Sequence, residues 1–480
     1  MAASEEWEPL DFRSGIEHEE IRNLVAYFKR YQQHMAKVCR TKGGEEATRE
    51  FMENLLRLVH KYDRRFPLPK DFLFLRDNTF EGVLDMQPSH FRPHYLHGKE
   101  STPAYVVIIP IMELNAEDSF DMFDYMIGRP MHGGIRLLDG VDQYKWRDCQ
   151  VEHESGGNTY TYLSSEKVCD WFFKAVSAVA NEATPMPGHS MTLELNGPAI
   201  TICVEGGDAC DIVYNMIPTV RCKGWPTAAQ AWWSRDHYWD SKANSEVENN
   251  GYHLLPMCCA DGNPELEWRL SFCQAELELA RFIPPVFMHN FNVLHSVIRK
   301  ELAGSAVVSP YQLKTIVLWA CDRLRPEFLR DEAFIPLSLF GMVDDIMHCL
   351  INKSCANYFL PQYNMFLHCS EEMMFPVARK LSLIRTDPVK YIYLRTAAEW
   401  RETAGMIAEN PQTDQNSDGK DSPVRSRPKA DKPPLNDRES RFRDWTSHIV
   451  DVNQGKSISV FIDPNDISTA RAFRIDDKFY

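Results

Sequence analysis

The chain is 480 residues long, with 44% hydrophobic and 25% charged residues, which suits a large globular body built as one bilobal unit or two domains. Its formal net charge of -15 excludes broad nucleic-acid binding, because affinity for phosphate backbones comes mainly from Lys and Arg releasing counterions. The 13 Cys are scattered, odd in number and often set in apolar runs such as VLWACDRL, which favours reduced core thiols over a disulfide framework.

The N-terminal stretch MAASEEWEPL is acidic and lacks a signal pattern, and no uninterrupted apolar run is long enough to span a bilayer. The expected location is the cytoplasm, with the nucleus as a second compartment and no membrane contact. Ile21, Leu24, Val25 and Phe28 recur at helical spacing, as do Phe51, Leu55, Leu58 and Tyr62, so two amphipathic helices are expected first. Strand-like runs follow: FLFL from Phe72, YVVIIP from Tyr105, MTLEL from Met191, AITICVE from Ala199 and DIVYNMIPTV from Asp211. Beyond about residue 265 the pattern turns helical. In VSPYQLKTIVLWACDRL, Ser309 can cap, Pro310 fits the first helical position, and Leu313, Ile316, Val317 and Ala320 form the buried stripe.

Sheet first and helices second predicts an α+β lobe over residues 10–265 and a helical lobe over 266–401. Pro, Ser, Asp, Lys and Asn dominate 402–441, a disordered linker by composition. Order is expected again over 442–480, where Ile458, Val460 and Ile462 alternate before a turn at Asp463 and Pro464.

Five stretches carry a family resemblance in order along the chain: KGWP (Lys223 to Pro226), WRLSFCQAE (Trp268 to Glu276), SPYQLK (Ser309 to Lys314), LWACDRL and NYFLPQYN (Asn357 to Asn364). Together they resemble the Mab-21 family, which includes cyclic GMP-AMP synthase; LDFRSG near the start and the final GKSISVFIDPNDI…FRIDDKFY resemble one vertebrate branch of it. The resemblance implies a bilobal nucleotidyltransferase-like core, a twisted mixed sheet with a helical spine, and a helical C-terminal lobe across a cleft.

When active, that fold uses two divalent metals to align a nucleoside triphosphate with an attacking hydroxyl. Hard Mg²⁺ takes carboxylate oxygens, and two acids separated by one residue on a strand point the same way. Alignment through Gly98 and Pro110 puts Thr102 and Ala104 at the family's paired acids, and Asn215 in YNMIPTVRCKGWP at the third. In LRDNTFEG, Asp77 and Asn78 stand where the family's phosphate turn has small residues, and an acid there repels a triphosphate. Glu100, Glu113 and Asp211 do not recreate the acid pair in any shifted register. No catalytic residue and no metal ligand is therefore expected. Tyr311 and Lys314 match positions the family uses to stack a base and contact phosphate; with Asp77 and Asn78 they are weak nucleotide-binding candidates, and the structural alternatives are a position near the helix cap for Tyr311 and a solvated lysine for Lys314.

The zinc site of the DNA-sensing synthase is not matched: Cys258 and Cys259 precede Trp268, while Cys273, His289 and His295 after it lack the spacing for four converging ligands. His90, His94 and His97 read as a solvated, Pro-punctuated loop. Trp268, Leu270 and Phe272 read as anchors between the lobes, with Arg269 satisfying buried carbonyls, and KGWP as a turn with an aromatic plug. Ser422 before Pro423 suits a proline-directed kinase or a docking motif.

The expected function is that of an inactive pseudo-nucleotidyltransferase serving as a scaffold or regulatory binding protein, with a protein partner, a nucleotide-like ligand as a further candidate, and no cofactor. The alternative is an active synthase of cyclic or linear dinucleotides, which would need Mg²⁺ or Mn²⁺. A nucleic-acid sensor is disfavoured by the charge and the unmatched zinc site.

Overall fold

A computed structural model of the chain describes residues 24–30, 44–85 except 78, 104–115, 120–121, 131–386 with short gaps at 139, 156, 184–188, 207–211, 236, 240, 260–261, 303–304 and 306, then 388, 391, 458–463 and 466–474. The linker assigned to 402–441 and the three histidines His90, His94 and His97 lie outside the described residues, as does Ser422.

Eleven strands form the main sheet: β1 (Leu73–Arg76), β2 (Ala104–Asn115), β3 (Phe120–Asp121), β4 (His132–Arg136), β5 (Gln150–Ser155), β6 (Asn158–Leu163), β7 (His189–Asn196), β8 (Ala199–Gly206), β9 (Ile212–Lys223), β10 (Tyr252–Leu255) and β11 (Trp268–Ser271). Their order is β1-β2-β9-β10-β11-β4-β6-β5, with β3 beside β4 and the β7–β8 hairpin beside β9. Only β2 and β9 run parallel among the described pairs, and these two long strands make the centre of the sheet. One edge of β9 belongs to β2; the other is shared by β8 over residues 212–216 and β10 over 220–222.

The helices are α1 (Gly44–Tyr62), α2 (Gly140–Lys145), α3 (Ser165–Val179), α4 (Ser241–Asn250), α5 (Cys273–Ala280), α6 (Pro285–Glu301), α7 (Pro310–Arg323), α8 (Pro326–Arg330), α9 (Ile335–Ile351) and α10 (Glu371–Thr386). On α1 the core face is Met52, Leu55, Leu56 and Val59, all fully buried, whereas Tyr62 is exposed. The stripe read from the sequence is thus rotated, because the buried face centres on the residues that reach the sheet. Ser164 caps α3, its side chain accepting from the Lys167 N–H, and Trp171, Phe172 and Val176 bury against the same core.

The α+β architecture with a helical lobe matches the expectation, with two local differences. Helices begin at Cys273 rather than near 265, because Trp268–Ser271 is a sheet strand paired with β10 and β4. Strands β3–β6 were not anticipated; in GGIR and NTYTYL short length and polar residues hide the period-two signal. Ser309 caps α7 through a capping box with Gln312, Pro310 opens it, and the predicted stripe is buried. Helix α9 packs against α6, α7 and α10. With the turn before it, the run Glu332–Ile351 is long and apolar enough by composition to cross a bilayer, yet it is mostly buried, and Asp344 and Asp345 interrupt it and ion-pair with Arg385 and Arg323. A separate pair of antiparallel strands, β12 (Ile458–Asp463) and β13 (Asp466–Arg474), gives the expected strand a second strand beside it, while Pro464 of the expected turn lies outside the described residues.

Candidate functional site

Alternate residues of a strand face opposite sides, so the register of β2 on β9 sorts the centre of the sheet into two faces. Ala104 lies opposite Val213, Val106 opposite Asn215, and Ile108 opposite Ile217. Tyr105 and Tyr214 point towards α1, where their rings stack 5.8 Å apart and Phe51 lies 5.5 Å from Tyr214. Ala104, Val106, Ile108, Asn215 and Ile217 therefore share the other face, and Val106, Ile108 and Ile217 pack there with Leu84, Leu255, Met257 and Cys273.

Two of the three positions matched to the family's acids are thus brought onto one face of adjacent strands. Thr102, the other, lies outside the described residues, as do Asn78, Glu100 and Asp211. Asn215 is buried; its Oδ1 accepts from the Thr201 hydroxyl of β8 at 2.9 Å, and its Nδ2 has no hydrogen-bond partner among the described residues. A methyl group and an amide do not fit the two-metal arrangement the fold implies, because Mg²⁺ is held there by carboxylate oxygens. Glu113 sits at the far end of β2, opposite Arg221, and pairs with Lys223. Among the described residues no group of three or more His, Cys, Asp or Glu is arranged to hold a metal ion.

The turn after β1 is folded back on that strand. Thr79 Oγ1 donates to the Arg76 carbonyl at 2.9 Å and accepts from the Gly82 N–H at 3.3 Å. A Cβ at Gly82 would lie 1.7 Å from the Arg76 carbonyl oxygen, so only glycine fits. The Asp77 N–H donates to the Ala104 carbonyl at 3.0 Å, tying this turn to the start of β2. Burial pushes the Asp77 carboxyl above its ordinary value, opposed by the charge of Arg299 on α6. Phe80 meets Phe291 of α6 edge-on at 5.0 Å. The segment matched to the phosphate turn is thereby docked on the helical lobe.

The same seam takes up Tyr311 and Lys314. Lys314 is wholly buried, with its ammonium 2.6 Å from Glu276, donating to the Val83 carbonyl at 3.0 Å and 5.0 Å from the centre of the Phe80 ring. The Tyr311 hydroxyl donates to Glu276 Oε1 at 2.7 Å and accepts from Asn357 Nδ2 at 3.3 Å. Burial and the Glu276 carboxylate drive the Tyr311 phenol well above its ordinary value. Arg269 ion-pairs with Asp85 and donates to the Tyr363 hydroxyl at 3.3 Å. The expectation that Arg269 serves buried carbonyls is therefore corrected: its partner is the partly buried Asp85 carboxylate, which answers a guanidinium that would otherwise be buried without a counter-charge. Sequence reasoning missed Asp85 and Glu276, although Glu276 stands inside the WRLSFCQAE stretch. A buried acid carries no periodic signal that separates it from a solvated one.

Glu267, fully buried, organises the loop that holds the adjacent cysteines. It accepts from the Cys259 N–H at 3.1 Å, the Cys259 thiol at 3.0 Å and the Asn263 N–H at 2.9 Å. Cys273 lies in the apolar cluster, and His295 stacks on Phe291 at 5.4 Å. Trp225 of KGWP donates to the Ala229 carbonyl and plugs against Trp232, Trp233, Phe272 and Phe359.

Two adjacent family models match this arrangement: the Mab-21 protein nucleotidyltransferase domain over residues 134–280 and the Mab-21 protein HhH/H2TH-like domain over 286–383. The chain belongs to the Mab-21 family. Its relatives include Transmembrane protein 102 of Bos taurus, 23% identical over 74% of this chain and 85% of that protein, and its Mus musculus counterpart, 21% identical over 73% and 85%. Protein mab-21-like of Aedes aegypti is 28% identical over 32% of this chain and 44% of its own. The first match spans the sheet lobe from β4 through α5, and the second the helical lobe from α6 into α10.

Proposed function

We propose that this Mab-21 chain is a catalytically inactive nucleotidyltransferase-like protein that acts as a scaffold or regulatory binding protein in the cytoplasm, and also in the nucleus. The observation that carries the reading is the shared face of β2 and β9, where Ala104 and Asn215 stand at two of the positions matched to metal-binding acids. A second support is the seam: Lys314 and Tyr311 have their polar atoms engaged by Glu276, Val83 and Asn357, so neither is left free to hold a nucleotide. The retained fold then offers surfaces to a protein partner, with a nucleotide-like ligand second.

The test is product formation by purified protein supplied with the four ribonucleoside triphosphates and Mg²⁺ or Mn²⁺. No dinucleotide above background is expected, and calorimetry should detect no tight Mn²⁺ site. Thr102→Asp, Ala104→Asp and Asn215→Asp introduced together should create Mn²⁺ binding, because three carboxylates restore the ligand set. Robust product from the wild type that vanishes on mutating some other carboxylate overturns the reading.

A further inference from the structure

The β7–β8 hairpin leaves an unusual edge on this sheet. The chain turns through Gly197, at φ 60°, and Pro198, closing the hairpin between the paired residues Asn196 and Ala199. With a two-residue turn, Asn196, Glu194, Thr192 and Ser190 exchange hydrogen bonds with β8, so the main-chain N–H and C=O groups of His189, Met191, Leu193 and Leu195 point outward. Among the described residues β7 pairs only with β8. Met191 and Leu193 are half-buried against the core and Leu195 is 40% exposed, so a stripe of apolar side chains runs along an open backbone edge.

The other outer edges are guarded. On β5 the sequence QVEHES sets Glu152, His153 and Glu154 along the rim, and β1 is four residues long. An eight-residue, largely uncharged edge such as β7 is a template for another strand.

The C-terminal hairpin has the complementary need. Among the described residues it is a two-stranded sheet of β12 and β13, and a pair of strands is marginal in water without a third strand or a packing surface. Its strands differ: β13 carries Asp466, Arg471 and Arg474, whereas β12, ISVFID, is uncharged up to Asp463. The uncharged outer edge of the hairpin is therefore that of β12. The chain between Tyr391 and Ile458 is long enough, at about 5–6 Å times the square root of its residue number even as a random coil, to reach any face of a body this size.

We propose that β12 docks on the outer edge of β7 in the same chain, extending the sheet through the outward main-chain groups of Met191, Leu193 and Leu195. The tether makes a weak strand-to-strand contact effective by keeping the local concentration of β12 high. The docking is independent of whether the protein is catalytically inactive, since it uses a sheet edge and not the β2/β9 face.

Hydrogen exchange on the full chain tests it. Deleting residues 442–480 should speed exchange of the Met191, Leu193 and Leu195 amides about 10-fold or more, while amides of β2 and β9 keep their rates as the control for an intact fold. In the full chain, Leu193→Pro removes one outward N–H without touching a bond to β8, and should speed exchange across 458–463. Unchanged β7 exchange on deletion, or unchanged 458–463 exchange in L193P with the β2 and β9 amides intact, overturns the proposal. Protection of β7 that disappears on dilution also overturns it, by assigning the edge to a second copy of the chain.

Discussion

The β2/β9 face and the seam between sheet and helical lobe meet at the 77–85 turn, yet they treat polar groups in opposite ways. At the face, Asn215 keeps one hydrogen bond to Thr201 and leaves its Nδ2 unpartnered amid Val106, Ile108 and Ile217. At the seam, Glu276 and Lys314 are buried as one ion pair and buried Arg269 pairs with the partly buried Asp85, with further contacts made by Tyr311, Tyr363 and the Val83 carbonyl. Among the described residues the seam holds charge as opposed pairs, whereas Ala104 and Asn215 bring no charge to the face where the fold would gather metal ions. A buried pair tolerates low dielectric because each charge answers the other, whereas a lone carboxylate on the apolar face would have no such answer.

The seam should be the more fragile side of this contrast. Lys314→Met leaves Glu276 buried without its cation, and a loss of about 3–5 kcal/mol in denaturant unfolding is expected; Glu276→Gln added to it should recover most of that loss. If the double variant is as unstable as the single one, the pair is not the unit that matters.

His253 on β10 probes the sheet away from both sites. It is buried, with Nδ1 3.0 Å from the Thr219 hydroxyl, and burial holds its imidazole down to about 3, Arg221 adding to the effect. Because the folded-state value lies below the unfolded one, this contribution is complete above pH 6.5 and is lost as the pH falls towards 3. The loss by pH 4 is about 3 kcal/mol. His253→Gln should flatten that part of the stability profile, measured by chemical denaturation between pH 7 and 4.

On the β2/β9 face, Asn215→Leu combined with Thr201→Val removes a hydrogen-bonded couple together. The expected change is about 1 kcal/mol or less, since both members of the couple go together and the only other bond lost among the described residues is the long one, 3.4 Å, from Asn196 Nδ2 to the Thr201 hydroxyl. A loss comparable to that of K314M would erase the contrast between the two regions. Smallest of all should be Glu113→Gln, whose pair with Lys223 is largely exposed: within about 0.5 kcal/mol, with no change in Mn²⁺ binding by calorimetry.

Local patterns carried much of the architecture. Ser309 and Pro310 announced α7, and Leu313, Ile316, Val317 and Ala320 its buried face, because a cap and a 3.6-residue period are properties of contiguous residues. Runs of β-branched residues marked β2, β8 and β9 in the same way. Short strands such as β10 and β11 were not legible, since four fully buried residues have no alternation to read.

By itself, then, the sequence determined which residue types stand at the matched acid positions, because side-chain chemistry at Ala104 and Asn215 needs no coordinates. Only the tertiary structure decided what Tyr311, Lys314 and Arg269 do. Their partners Glu276, Asp85 and Tyr363 come from separate elements, and whether a charged side chain faces solvent, ligand or a buried counter-charge depends on which distant segments the fold brings within about 3 Å, the reach of a hydrogen bond.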